Sequence, residues 1–181
     1  GLDSYIRLLR REVPAVVQAS ATSDILAALE FVDEFGIRLV LANAEEAWIV
    51  AEEIAKRADS VAAAISRDMG KVAWDARGEA GAMSAKVGIS IKAQVERAGT
   101  AFSDAAFGSM HLTHRPHGVM AVFGPFNFPG HLPNGHIVPA LLAGNTCVFK
   151  PSELAPSVAH ILADAFADAG LPDGVLNVVQ G

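Results

Sequence analysis

Three short apolar runs in the second half of the chain, Gly118 to Phe123, Thr146 to Phe149 and Val175 to Val179, alternate with stretches of helical character. The intervening helices read as Ile137 to Ala143, stopped by Gly144, and Pro156 to Ala169, stopped by Gly170. Continuous apolar runs suit strands buried on both faces, and strands joined through helices run parallel because the chain must cross back between them. The order strand, helix, strand, helix, strand is that of a doubly wound nucleotide-binding sheet.

The first half carries a similar rhythm. Pro14 to Ser20 is a β-branched run, and Ile25, Leu26, Leu29, Phe31, Val32 and Phe35 recur at helical spacing between a cap signal at Ser23-Asp24 and a stop at Gly36. Ile37 to Leu41 reads as a second strand and Ala44 to Arg57 as an amphipathic helix, so residues 1–57 form a βαβα segment. Ala58 to Met69 is a helix closed by Gly70, and Val72 to Ala98 is a long Ala-rich helical stretch weakened at Gly78, Gly81 and Gly88. His111 to His117 reads as an edge strand and Gly124 to Gly135 as a loop rich in Gly, Pro and Asn. The expected fold is therefore α/β: a partial doubly wound (Rossmann-like) parallel sheet with flanking helices over residues 58–181, preceded by the separate βαβα segment 1–57.

Composition narrows the function. With 51% apolar residues the chain can bury a core, and a net charge of -6 lacks the basic face a nucleic-acid binder needs. No apolar run is long enough to cross a bilayer, the opening Gly1-Leu2-Asp3-Ser4 carries no targeting signal, and one cysteine forms no internal disulfide. A cytoplasmic protein is the expectation.

Two elements carry chemistry. Phe123-Gly124-Pro125-Phe126-Asn127-Phe128-Pro129 sets a single amide, Asn127, on a stiff turn at the carboxyl end of a strand, where parallel α/β sheets keep their ligands. Such an amide can donate to a developing oxyanion, or it can simply close an Asx turn. Lys150-Pro151-Ser152-Glu153 follows the next strand; Lys150 and Glu153 can hydrogen-bond vicinal hydroxyls such as those of a ribose, or form a solvated turn that enters a helix. The histidines of the run 111–117 stand three apart, which on a strand alternates their faces, so no metal site is assigned.

In this order and separation the two elements resemble the NAD(P)-dependent aldehyde dehydrogenase superfamily, through Pro116 to Gly181. The variant GPFNFPGHLPNGHIVPALLAGNT, and the helices from Asp59 to Gly99, look like the branch of that family acting on succinylglutamate semialdehyde in arginine catabolism. The resemblance implies that Asn127 supplies the oxyanion hole and that Lys150 and Glu153 hold the adenosine ribose of NAD. It also implies that Phe123, Pro125 and Phe126 lie beside the nicotinamide half, Phe126 where many relatives have Trp, and that Ser152 lies in the cofactor-facing turn. His131, Asn134 and His136 belong to the same segment and read as core or loop hydrogen-bonding residues.

The implied reaction oxidises a small aldehyde to its acid through a cysteine thiolate and a glutamate-activated water, in a homo-oligomer of much longer subunits. Cys147 lies in an apolar strand and reads as structural, so this chain is expected to be a fragment that lacks nucleophile and base and is inactive alone. Residues 1–57 resemble instead a βαβα piece of an imidazolonepropionase-like amidohydrolase barrel, with Gln18, Ser20 and Asn43 where metal-binding histidines would stand and a junction near Ala55 to Ala58. A non-catalytic nucleotide-binding or interaction module, or an amidohydrolase-related remnant, are the alternative expectations.

Overall fold

A computed structural model describes residues 6, 9, 10, 15–18, 34, 35, 39–42, 47–98 and 101–181. Two short strands, β1 (Ala15–Gln18) and β2 (Leu39–Ala42), pair in parallel from Ala15 against Leu39 to Gln18 against Ala42. Parallel pairing of two runs so near in sequence requires a crossover between them. Most of the helix expected there, and the positions of Ser20 and Asn43, lie outside the described residues.

Three helices follow: α1 (Ala47–Lys56), α2 (Ala58–Met69) and α3 (Ala73–Arg97). Gly70 closes α2 at φ 75, a left-handed conformation that glycine adopts without the Cβ penalty. Helix α3 runs unbroken through Gly78, Gly81 and Gly88, which the sequence marks as weak points. Its seam of Ala76, Glu79, Ala80, Met83, Val87 and Ser90 is buried against α1, α2 and α4, and that packing outweighs about 1 kcal/mol of lost propensity per glycine.

The next element is a hairpin that the sequence did not announce. Strands β3 (Ala101–Ala105) and β4 (Gly108–Leu112) pair antiparallel around a turn at Ala106-Phe107, and Phe107 is 86% exposed. The edge strand expected over His111 to His117 therefore ends at Leu112, and residues 113–117 are irregular. Within the hairpin the His111 ring stands edge-on to Phe102 at 4.6 Å.

From Val119 the expected alternation holds. Strands β5 (Val119–Phe123), β6 (Thr146–Lys150) and β7 (Leu176–Val178) form a parallel sheet in that order, connected by α4 (His131–Leu142) and α5 (Pro156–Asp168). Val122, Cys147 and Phe149 turn toward the helices and join Ile137, Leu142, Val158 and Leu162 in the core. On the other face Val119 and Phe123 are 69% and 75% exposed. Beneath α4 and α5 lie α1 to α3, with Val50, Ile54, Val61, Ile65 and Met83 completing the same core.

Helix α4 begins within the stretch that reads as a loop, because its start is capped from elsewhere in the fold. The Glu79 carboxylate, on α3, accepts the backbone N–H groups of Gly130 at 3.1 Å and His131 at 3.2 Å. Helix α5 is held in the same way: Asp68 Oδ2, at the end of α2, accepts the Ser157 N–H at 3.1 Å. Each connecting helix thus finds an acidic acceptor for its orphan amides in the helical layer below. The Asn145 side chain, almost fully buried, accepts from the His117 and Gly118 amides and donates to the Ala140 carbonyl, tying the end of α4 to the entry of β5.

Candidate functional site

The strand register gathers the candidate residues at the carboxyl edge of the sheet. Phe123 is the direct partner of Lys150 at the ends of β5 and β6, and the Gly124 N–H donates to the Lys150 carbonyl at 2.9 Å. Gly124 has no room for a side chain: a Cβ there would lie 2.9 Å from the Phe149 ring and 3.0 Å from Pro133. The turn after β5 can therefore lie flat on the sheet end only with glycine at this position.

From that turn Pro125, Phe126 and Asn127 lead outward to Phe128 and the buried Pro129. Asn127 is exposed, and its side-chain amide makes no hydrogen bond among the described residues, so the Asx turn that an Asn at this position could close is not formed. A donor held on a short loop and committed to nothing is available to a ligand.

At the end of β6 the Lys150 ammonium donates to Glu153 Oε2 at 3.0 Å and to the Pro151 carbonyl at 2.9 Å. The Glu153 carboxyl is held below the usual carboxylate range by its own backbone N–H and by Lys150, so it is ionised at neutral pH. Ser152 Oγ accepts the Leu154 N–H at 3.2 Å, folding the turn before Pro156 opens α5. The Ser157 amide in the first turn of α5 is satisfied by Asp68 and not by Ser152.

The remaining candidates separate from this edge. Asn134 is fully buried on α4 and donates to the Met83 carbonyl at 2.8 Å, the core hydrogen bonding its sequence context suggested. Cys147 is fully buried among the core residues that face the helices, and burial pushes its thiol up to about 11. At pH 8 only about one thiol in a thousand would then be thiolate. Folded chain is expected to resist a thiol reagent at pH 8 and to react fully in denaturant. A raised folded-state value means that stability is intact below pH 9 and falls as pH climbs toward 11, which a series of urea midpoints across that range would detect. Prompt labelling of folded chain at pH 8 would refute the burial of this thiol.

Two residues of the site region escape sequence reasoning. Lys71 and Glu79 form a buried pair at 2.7 Å, with side-chain exposures of 8% and 1%, and the Lys71 ammonium lies 3.9 Å from the centroid of the Phe128 ring. Their spacing with Asp75, every fourth residue from Lys71 just before the helix to Glu79 within it, is the one sequence signal that could have suggested it.

A parallel sheet with helical crossovers, an open carboxyl edge and polar groups gathered there define an α/β protein of the Rossmann-like class. Residues 41–181 match the aldehyde dehydrogenase family model, and the chain belongs to that family. The N-succinylglutamate 5-semialdehyde dehydrogenase of Burkholderia multivorans is 65% identical over 126 residues, 70% of this chain and 26% of that enzyme. Among solved structures, lactaldehyde dehydrogenase from Escherichia coli superposes with a TM-score of 0.71 at 31% identity, covering 76% of this chain and 29% of that one. The NADP-dependent glyceraldehyde-3-phosphate dehydrogenase of Bacillus halodurans, solved with NADP, gives 0.70 at 26% identity over 76% of this chain and 30% of its own. The chain thus spans about a quarter of the length of the curated relatives it matches. Among the described residues no helix is long and apolar enough to cross a membrane.

Proposed function

We propose that these residues form the cofactor and oxyanion edge of an NAD-dependent dehydrogenase that oxidises N-succinylglutamate 5-semialdehyde, or a similar aldehyde, to its acid. The observation that carries this reading is the uncommitted Asn127 amide at the carboxyl edge of the sheet that also bears Lys150 and Glu153. An amide held in this way can donate to the oxygen of the aldehyde as negative charge develops on it, without reorganising at the moment of reaction.

Lys150 and Glu153 suit a ribose: the ammonium donates to one hydroxyl and the carboxylate accepts from the other. Because Glu153 is ionised, a 2′-phosphate in the same place would meet like charge, which favours NAD over NADP. Bound NAD would supply hydride acceptance, with the exposed Phe123 and Phe126 rings and Pro125 shaping the nicotinamide side. Cys147 is too deeply buried to attack an aldehyde, so we assign the nucleophilic cysteine and the water-activating glutamate to parts of the enzyme outside these 181 residues.

A cytoplasmic homo-oligomer acting on a small-molecule aldehyde is the corresponding proposal for the whole enzyme. The exposed Phe102, Phe107 and Met110 of the hairpin support a role for it in subunit contact. For residues 1–57 a segment of separate origin remains the proposal. The parallel pairing of β1 and β2 fits a βα unit, whereas the burial of Val50 and Ile54 in the core argues for setting its end before α1.

The test is a chimera in which residues 47–181 replace the matching segment of the Burkholderia multivorans enzyme. It is expected to reduce NAD with N-succinylglutamate 5-semialdehyde, and the 181-residue chain alone to reduce none. Asn127→Ala in the chimera should lower kcat by about 10²–10³, the usual loss for one oxyanion donor. An unchanged kcat would overturn the assignment of Asn127.

A further inference from the structure

Among the described residues the Asn127 side chain has no hydrogen bond of its own, so its place depends on the backbone at either side. Upstream, the sheet end supplies the support: Gly124 is bonded to Lys150 and seated against Phe149 and Pro133. Downstream, the support comes from α3. Glu79 Oε1 bridges the amides of Gly130 and His131, while its Oε2 holds the Lys71 ammonium at 2.7 Å. Lys71 in turn faces the ring of Phe128, the residue directly after Asn127, at 3.9 Å from its centroid, and the His131 ring stands edge-on to Phe128 at 6.4 Å. One carboxylate and one ammonium, both almost fully buried, thus grip the loop and the start of α4 at the first, third and fourth residues beyond Asn127.

We propose that Lys71 and Glu79 are positioning residues for Asn127, a buried ion pair between the segment leading into α3 and α3 itself that sets where the amide stands by clamping Phe128 and the start of α4. The surroundings of the pair argue for more than general stabilisation. A buried pair offers little net stability over an apolar replacement, yet this one is spent on one ring and two backbone amides within the four residues that follow Asn127. The cation faces Phe128 with its charge desolvated, the condition in which a cation–π contact is strongest and most dependent on geometry. Asp75, 3.9 Å from Lys71 and half exposed, is the other charged group against the pair.

This inference rests on the reading of Asn127 as the oxyanion donor, and the experiment is chosen so that the two can fail separately. In the full 181-residue chain, the side-chain NH2 resonances of Asn127 and amide hydrogen exchange at Gly130 and His131 are followed by NMR in Lys71→Met and Glu79→Gln. Glu79→Ala is added where it folds. Lys71→Met keeps the buried stem and removes the charge, so it is expected to leave the β6 and α5 resonances in place. It should shift or broaden Asn127 and Phe128. Glu79→Gln is expected to raise exchange at Gly130 and His131 by about tenfold through weakened capping, again with β6 unchanged. Asn127 resonances that match the parent in both variants would overturn the proposal, as would shifts spread evenly over β6 and α5, which mark a merely structural role. The chimera with Asn127→Ala judges the catalytic reading independently of either result.

Discussion

Glu79→Ala is expected to destabilise the chain by about 3–5 kcal/mol, because it takes the close buried partner from the largely buried Lys71 ammonium and leaves it only the half-exposed Asp75 at 3.9 Å. Folded domains of this size hold only about 5–15 kcal/mol in reserve, so the variant should sit near its unfolding midpoint in mild denaturant. Two effects are combined in that loss, and a second variant separates them. Replacing both partners, Lys71→Met with Glu79→Leu, removes the stranded charge but leaves the Gly130 and His131 amides unsatisfied at the start of α4. The double variant should therefore recover much of the stability and keep a deficit of about 1–3 kcal/mol, the cost of orphaned buried donors. Urea unfolding followed by circular dichroism gives both numbers. A double variant no more stable than Glu79→Ala would mean that the cap, and not the charge, dominates.

Phe149→Ala is expected to cost about 3–5 kcal/mol, since the ring is fully buried on the central strand and its loss leaves a cavity that the sheet and helices close only in part. The position also matters to the site. The Phe149 ring is the surface on which Gly124 rests, and Gly124 begins the loop that carries Asn127. A urea titration should show a lower midpoint with an unchanged slope, the pattern of lost packing without a change in the surface exposed on unfolding. A loss below about 1 kcal/mol would mean that the core repacks around the vacancy, and the account of β6 as its centre would be wrong.

Much of the sheet was legible because its signals are local. Val119 to Phe123 is an apolar run bounded by Gly118 and Gly124, Thr146 to Lys150 is a mostly apolar run between Gly144-Asn145 and Pro151, and the helix after each is stopped by Gly144 or Gly170, both with positive φ in the structure. Asn127 and the Lys150-Glu153 turn could be found for the same reason: they follow directly on strands whose carboxyl ends form the open edge of such a sheet. The hairpin was not legible. AFSDAAFGSMHL has neither an Asn-Gly turn pair nor a β-branched alternation, and almost every residue in it is exposed. The start of α4 was also hidden, since GPFNFPGHLPNG has the composition of a loop and its cap lies 51 residues upstream at Glu79.

By itself the sequence determined the parallel α/β class, the alternation of strands and helices over 118–181, and the position of Asn127 and of the Lys150-Glu153 turn just beyond the carboxyl ends of β5 and β6, because each depends on neighbours within a few residues. Only the tertiary structure decided that α4 and α5 are capped by Glu79 and Asp68, that Cys147 is sealed in the core, and that Asn127 is left without a partner among the described residues. Those outcomes depend on which groups meet across long separations in the chain. A buried amide must take its acceptor from whatever the packing brings within hydrogen-bond reach, and no local pattern records that meeting.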